Sequence, residues 1–209
     1  MLSLGRPLTA EEVARGISDN PDADPQTGSV HSYASRLRRA LPEDVFPDAR
    51  SGRYHLDPDK VVVDWTALDT VASEPPDQPG WTDRAIAALE LARGEPLGGR
   101  VWEGVAPLVR TMQTRIEHIA KTLCTRLIAA GDPSAAEQSV ARGLLGFPES
   151  IELWGSRLQA ATAGSGYGLD RAWGEARGVL KADAALLFPT YQQCKRSLGQ
   201  EPAPSPDPI

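Results

Sequence analysis

Residues Gly28 to Leu41 read Gly-Ser-Val-His-Ser-Tyr-Ala-Ser-Arg-Leu-Arg-Arg-Ala-Leu and predict one amphipathic helix. At about 100° per residue, Val30, Tyr33, Ala34, Leu37, Ala40 and Leu41 gather into an apolar stripe. The other arc carries His31, Ser32, Ser35, Arg36, Arg38 and Arg39, and no acid. A helix that needs only solubility mixes both signs on its wet face. One that lies against an anion keeps hydrogen-bond donors and drops the carboxylates. The pattern therefore suits phosphate contact, with an ordinary Arg-rich surface helix as the competing reading.

The flanking segments sharpen that choice. After Pro42 come Val45-Phe46, a polar turn from Pro47 to Gly52, and Arg53-Tyr54-His55-Leu56, which together read as a β-hairpin. Alternation places Tyr54 and Leu56 on one face and Arg53 and His55 on the other. Upstream, Thr9-Ala10-Glu11-Glu12 has capping-box spacing and opens a short helix to about Ile17. Ser18 to Gly28 is a polar, Pro-containing connection. Short helix, connection, basic helix and hairpin follow one another in the order of a winged helix-turn-helix, whose second helix enters the major groove.

On these motifs, residues 5–66 resemble the OmpR/PhoB-type winged helix found in SARP-type transcriptional regulators. Val30 to Leu41, ending Ser-Arg-Leu-Arg-Arg-Ala-Leu, resembles that family's recognition helix, and Gly52-Arg53-Tyr54-His55-Leu56 resembles its wing. The resemblance implies that His31, Ser32, Ser35 and Arg36 face bases or nearby phosphates. It also implies that Arg39, Arg50, Arg53 and His55 meet the DNA backbone. His55 stands where the family usually has Arg, and a histidine is mostly neutral at pH 7. Only Met1 to Leu8 precede the first helix signal, too few for another helix of ordinary length, about 11 residues. A fragment of a longer regulator and a shortened winged helix both remain open, with Leu2, Leu4 and Leu8 as remnants.

From Asp64 onward the pattern is helix after helix, broken by Gly and Pro. Asp64 opens a helix with Trp65, Leu68 and Val71, and Trp81 to Arg93 forms the next. The longest runs from about Ala106 or Pro107 to Ala130, with Val109, Met112, Ile116, Ile119, Leu123 and Leu127 as its stripe. Gly131-Asp132-Pro133 ends it. Ser134–Leu145, Ile151–Ala163, Leu169–Leu180 and a last helix to about Leu198, bent at Pro189, complete the array. Short turns between such helices predict antiparallel neighbours, and Ala129 to Ser150 has a tetratricopeptide rhythm. Asp64-Trp65, Ala87 to Leu97, Ala130-Gly131-Asp132, Ala141 to Leu145 and Pro148-Glu149-Ser150 resemble the bacterial transcriptional activator domain, the helical-repeat module that follows the winged helix in SARP-type proteins. The expected fold is thus mainly α: a small winged helix-turn-helix with a β-hairpin wing over 1–63, a tetratricopeptide-like domain over 64–199, and a Pro-rich disordered tail over 200–209.

Charge narrows the possibilities for DNA contact. Residues 1–66 carry eight Lys/Arg against eleven acids, and the remainder nets the same −3, for −6 in all. Any DNA contact must then be local and strongly salt-dependent. Cys124 and Cys194, both in helical patterns, fit buried thiols in a reduced, cytoplasmic chain. No apolar run spans a membrane and no signal peptide is evident. His118 beside Glu117 shares no face with it, no metal spacing appears, and the Gly164 to Gly168 run lacks a phosphate loop's strand and Lys. No catalysis, metal or cofactor is therefore expected. The five tryptophans read as interhelix anchors, with Trp81 and Trp102, beside Pro/Gly connectors, as candidate partner-binding residues. The expected function is a DNA-binding transcription regulator, or its C-terminal regulatory fragment. Its repeats would mediate homodimerisation or contact with a co-regulator or RNA polymerase. The alternative is a protein–protein interaction module with a degenerate winged helix.

Overall fold

A computed structural model describes residues 7–18, 26–42, 45–46, 52–57, 59–61, 63–99, 101 and 103–200. Those residues are mainly helical, with one two-stranded antiparallel sheet. The chain divides into two compact units, Met1–Ala67 with Gly99–Met112, and Leu68–Gly98 with Gln113–Ile209.

In the first unit, β1 (Leu8–Thr9) leads into α1 (Ala10–Gly16), followed by α2 (Thr27–Ala40) and β2 (Arg53–Tyr54). The capping box forms as its spacing predicts. Glu12 N–H donates to Thr9 Oγ1 at 3.1 Å, and Thr9 N–H donates to Glu12 Oε2 at 2.8 Å. The sheet departs from expectation. Val45-Phe46 is a turn and bend rather than a strand, and β2 pairs with β1, Leu8 opposite Tyr54 and Thr9 opposite Arg53. Among the described residues, Asp57 N–H, just past the expected Arg53–Leu56 run, donates to Val45 O at 3.0 Å. The bend lets Phe46 turn inward, where it is 2% exposed and stacks on Tyr54 with ring centroids 6.1 Å apart.

Ala14, Val30, Ala34, Phe46 and Tyr54 make this unit's core, flanked by Ala10, Val13, Leu41 and Leu56. Only part of the α2 stripe reaches it. Val30 and Ala34 are buried, whereas Tyr33 and Leu37 are 53% and 40% exposed. The small side chains that α1 presents cover a narrow arc centred on Ala34, and the far edge of the stripe lies outside it. A short 3₁₀ turn, Glu103–Val105, also belongs to this unit. A Cβ added at Gly104 would lie 2.8 Å from Arg15 O and from Gly16 Cα, so two glycines permit the approach.

The second unit takes the end of α3 (Asp64–Ser73), α4 (Trp81–Glu90), most of α5 (Ala106–Ala129), α6 (Pro133–Gly146), α7 (Ile151–Gly164), α8 (Leu169–Leu180) and α9 (Ala184–Ser197). Helix α4 stops short of the expected Arg93, because Ala92 N–H and Arg93 N–H switch to tighter bonds with Leu89 O and Leu91 O. Gly131, at φ +81°, closes α5 in the left-handed conformation that favours glycine. Asp132 then accepts from Ala135 N–H at 2.9 Å, with Pro133 in the first turn of α6. Ser150 caps α7 by accepting from Leu153 N–H at 3.0 Å. Pro189 lies inside α9, which continues as one helix to Ser197.

Helix α7 packs on α6, α8 and α9, and α8 on α9. Leu153, Leu158, Ile119, Leu123, Leu169 and Leu187 are almost fully buried. Small residues set the closest helix approach. A Cβ at Gly143 would lie 2.7 Å from Ala120 Cβ, and one at Gly146 2.7 Å from Ile116 Cδ1.

Candidate nucleic-acid interface

The donor-bearing side of α2 faces solvent as its periodicity predicts. His31, Ser32, Ser35, Arg36 and Arg39 are all exposed. Ser32 Oγ donates to Gly28 O at 3.3 Å, and Arg39 Nε donates to Ser35 O at 3.3 Å, both within the helix itself. The Ser32 hydroxyl spends its one O–H there and keeps acceptor capacity, whereas Arg39 keeps donors to spare, since a guanidinium carries five N–H groups. Among the described residues, no carboxylate forms an ion pair with Arg36 or Arg39 in this structure.

Arg38 plays a different part. On the helical wheel it lies about 40° from buried Ala34. Its guanidinium carbon sits over the rings of Phe46 and Tyr54, 5.1 and 5.8 Å from their centroids. Cation and ring quadrupole attract there, and the Arg38 stem covers the edge of the core. His31, on the same side of the wheel, shares a 2.6 Å hydrogen bond between its Nδ1 and Tyr54 Oη. Tyr54 thus ties β2 to α2 through its hydroxyl while its ring packs on Phe46.

The remaining sequence-derived residues divide sharply. Arg53 is exposed on β2, and its Nη1 donates to Pro7 O at 3.5 Å. His55 is half-buried, one residue beyond β2. Arg50 and Trp102 lie outside the described residues. Trp81 is 1% exposed, its Nε1–H donates to Val71 O at 3.2 Å, and Arg126 lies 5.9 Å above its ring. Its ring is an interior packing element of the second unit, and as placed it offers no surface to a partner.

Sequence reasoning missed the Tyr54–His31 bond and the placing of Arg38 over two rings. Alternation puts Tyr54 on one face with Leu56, but nothing local connects it to a residue 23 positions away.

Elsewhere, the two cysteines are free and buried. Burial pushes the Cys124 thiol up to about 11, and its Sγ lies 3.6 Å from Ser156 O. Asp170 accepts from Tyr191 Oη at 2.6 Å and pairs with Lys195 Nζ at 2.8 Å. Those two donors hold its carboxyl below the ordinary value, while burial and Asp170 push the Tyr191 phenol up. A shallow hollow of about 130 Å³ lies between α4 and α6, floored by Leu89 and Leu123 and rimmed by Glu90 and Arg142. Among the described residues, no three His, Cys, Asp or Glu side chains gather as a metal site, and no helix is long and apolar enough to cross a membrane. Comparison with protein-family models, with curated proteins and with solved structures finds no match.

Proposed function

We propose that this chain is a DNA-binding transcription regulator, or the regulatory part of one, that reads duplex DNA through α2. The observation that carries the reading is the exposed arc of His31, Ser32, Ser35, Arg36 and Arg39 on a helix whose opposite side packs on Ala14, Phe46 and Tyr54. A carboxylate-free row of donors on an anchored helix suits phosphates and base edges. The order β1, α1, α2, β2, with β1 paired to β2, supports a winged helix-turn-helix reading. The side-chain caps of α6 and α7 and the packing of α7 on α6, α8 and α9 support a tetratricopeptide-like module. In this reading the module carries dimer, co-regulator or RNA polymerase contacts, and the protein works in the cytoplasm without catalysis or cofactor of its own.

A second reading has its own support. Tyr33 and Leu37 are exposed on the same helix, and residues 1–66 carry net −3, which favour a protein-binding module with a degenerate winged helix. A salt titration of binding to mixed-sequence duplex separates the two. The first reading expects log affinity to fall linearly with log salt, and the slope to drop by about 2 when Arg36 and Arg39 are both replaced by Ala. Salt-independent or absent binding favours the second reading. An unchanged slope in the double variant removes α2 as the interface.

A further inference from the structure

We infer that Tyr54 is a positioning residue that fixes His31 as a hydrogen-bond donor, so that His31 selects an acceptor atom on the duplex, a purine N7 or a phosphate oxygen, and rejects an exocyclic amine. The inference rests on the DNA-binding reading above and names the chemistry of one position within it.

The argument begins with the phenol. Tyr54 is 5% exposed, its ring stacks on Phe46 with Arg38 over both rings, and its hydroxyl lies 2.6 Å from His31 Nδ1. No other acceptor for that O–H is recorded among the described residues. A buried hydroxyl proton left without an acceptor is costly, so the arrangement that satisfies it has Tyr54 Oη donating to an unprotonated Nδ1. A neutral imidazole carries one proton, which then resides on Nε2. If His31 becomes protonated, Nδ1–H donates to the phenol oxygen instead, and Nε2 still carries its proton. In both charge states the ring nitrogen remote from Tyr54 is a donor. His31 is exposed on the arc that carries Ser35, Arg36 and Arg39, so that donor belongs to the proposed interface. In the major groove, purine N7 accepts, whereas adenine N6 and cytosine N4 only donate. A donor-only histidine therefore discriminates at one position, and the device that makes it donor-only sits on β2.

Two measurements on the full chain test this. The first needs no DNA. Two-bond ¹H–¹⁵N correlation of the imidazoles at a pH where they are neutral should find His31 as the Nε2–H tautomer, with His31→Ala supplying the assignment. Tyr54→Phe, which keeps the ring stack, should move His31 towards a tautomer mixture. A merely structural Tyr54 would leave the tautomer unmoved. Wild-type His31 as the Nδ1–H form, or unchanged in Tyr54→Phe, overturns the inference whatever the protein binds.

The second uses a duplex selected by the wild-type chain from random sequence. Replacing purines singly by their 7-deaza analogues, or phosphates singly by methylphosphonates, should weaken binding roughly two- to tenfold at one position. The 7-deaza arm identifies a base and the methylphosphonate arm a phosphate. That sensitivity should vanish in His31→Ala and shrink in Tyr54→Phe. His31→Ala removes no core side chain but frees the Tyr54 hydroxyl, so circular dichroism checks that it and Tyr54→Phe fold before binding is scored. Sensitivity that persists in His31→Ala overturns the inference while leaving DNA binding intact. Failure to select any duplex overturns the DNA-binding reading itself, and the imidazole spectrum then shows whether the Tyr54–His31 pair is only a structural tie.

Discussion

Gly143→Ala and Gly174→Ala make the same chemical change in two helices and should shift stability in opposite directions. In a helix interior, Gly is about 0.8–1.0 kcal/mol less favourable than Ala, so both variants gain that much from the backbone. At Gly174, on the exposed side of α8, an added Cβ meets nothing within 4 Å, and the gain stands. At Gly143, on the buried side of α6, the Cβ would lie 2.7 Å from Ala120 Cβ and 3.2 Å from Leu153 Cδ1. Carbon atoms prefer about 3.5–4.0 Å. Leu153 has rotamers with which to yield, but Ala120 Cβ is fixed to the α5 backbone, so the helices themselves must separate. Overpacking of this kind costs about 1–3 kcal/mol. The backbone gain cancels between the two variants, so Gly143→Ala should be less stable than Gly174→Ala by about 1–3 kcal/mol. For a chain of this size that is about 2–4 °C in Tm per kcal/mol. Thermal melts followed at 222 nm and urea midpoints measure the difference. Gly146→Ala should fall between them, since its Cβ would meet the movable Ile116 Cδ1 at 2.7 Å. If Gly143→Ala melts with Gly174→Ala, then α5 and α6 are not in the contact described, and the packing argument is wrong.

Three further expectations follow from burial and charge. Because burial raises the folded Cys124 thiol to about 11, the stability it contributes is complete below the ordinary 9.0 and lost as pH rises towards 11. Cys124→Ala should lack that alkaline loss in urea titrations against pH, and identical curves would refute it. Asp170 has the opposite sign. Its lowered pKa means its contribution is present above the ordinary carboxylate value and lost as pH falls through it, and Asp170→Asn should cost less than about 1 kcal/mol at neutral pH and flatten the acid limb, a result that unchanged acid sensitivity would contradict. Native hydrogen exchange should open α1 and α2 more readily than α6 and α7, because Ala14, Val30 and Ala34 bury far less apolar surface than Leu153, Leu158 and Val140. Equal protection would mean the first unit's core is stronger than its side chains imply.

The helices were legible because their signals are local. Capping at Thr9 and Glu12, the Gly131-Asp132-Pro133 stop, and the apolar period of Leu169–Leu180 each act within a few residues, and each appears at its expected place. What was not legible depends on partners far away in sequence. Arg53-Tyr54 is extended as expected, but its strand partner is Leu8-Thr9, which carries no pairing signal of its own. The stripe of α2 was readable as apolar, yet its use was not: whether Leu37 is covered depends on how large a core α1 and Phe46 can supply, and they supply a narrow one. Gly104 against Gly16 is likewise invisible to periodicity, since both glycines read locally only as breaks. The donor arc was identified residue by residue, while the division of labour within it, Arg38 on the rings and His31 on Tyr54, needed the tertiary structure.

An acidic chain and a DNA-facing helix are compatible only if the charges are separated on the scale at which salt screens them. Helix α2 has 14 residues and so extends about 21 Å at 1.5 Å per residue. At 0.1 M salt the Debye length is about 10 Å, so acids farther than that from Arg36 and Arg39 contribute little to the field at the arc. Their effect grows as salt is removed, because the screening length reaches about 30 Å at 0.01 M. A uniformly basic binder gains affinity steadily on dilution of salt through counterion release. In the proposed interface that gain competes with long-range repulsion from a chain of net −6. If α2 reads DNA as proposed, the absence of acids from its arc is therefore a requirement. With acids dominating elsewhere, one carboxylate among His31, Ser35, Arg36 and Arg39 would lie inside the screening length and offset a large share of the few positive charges available.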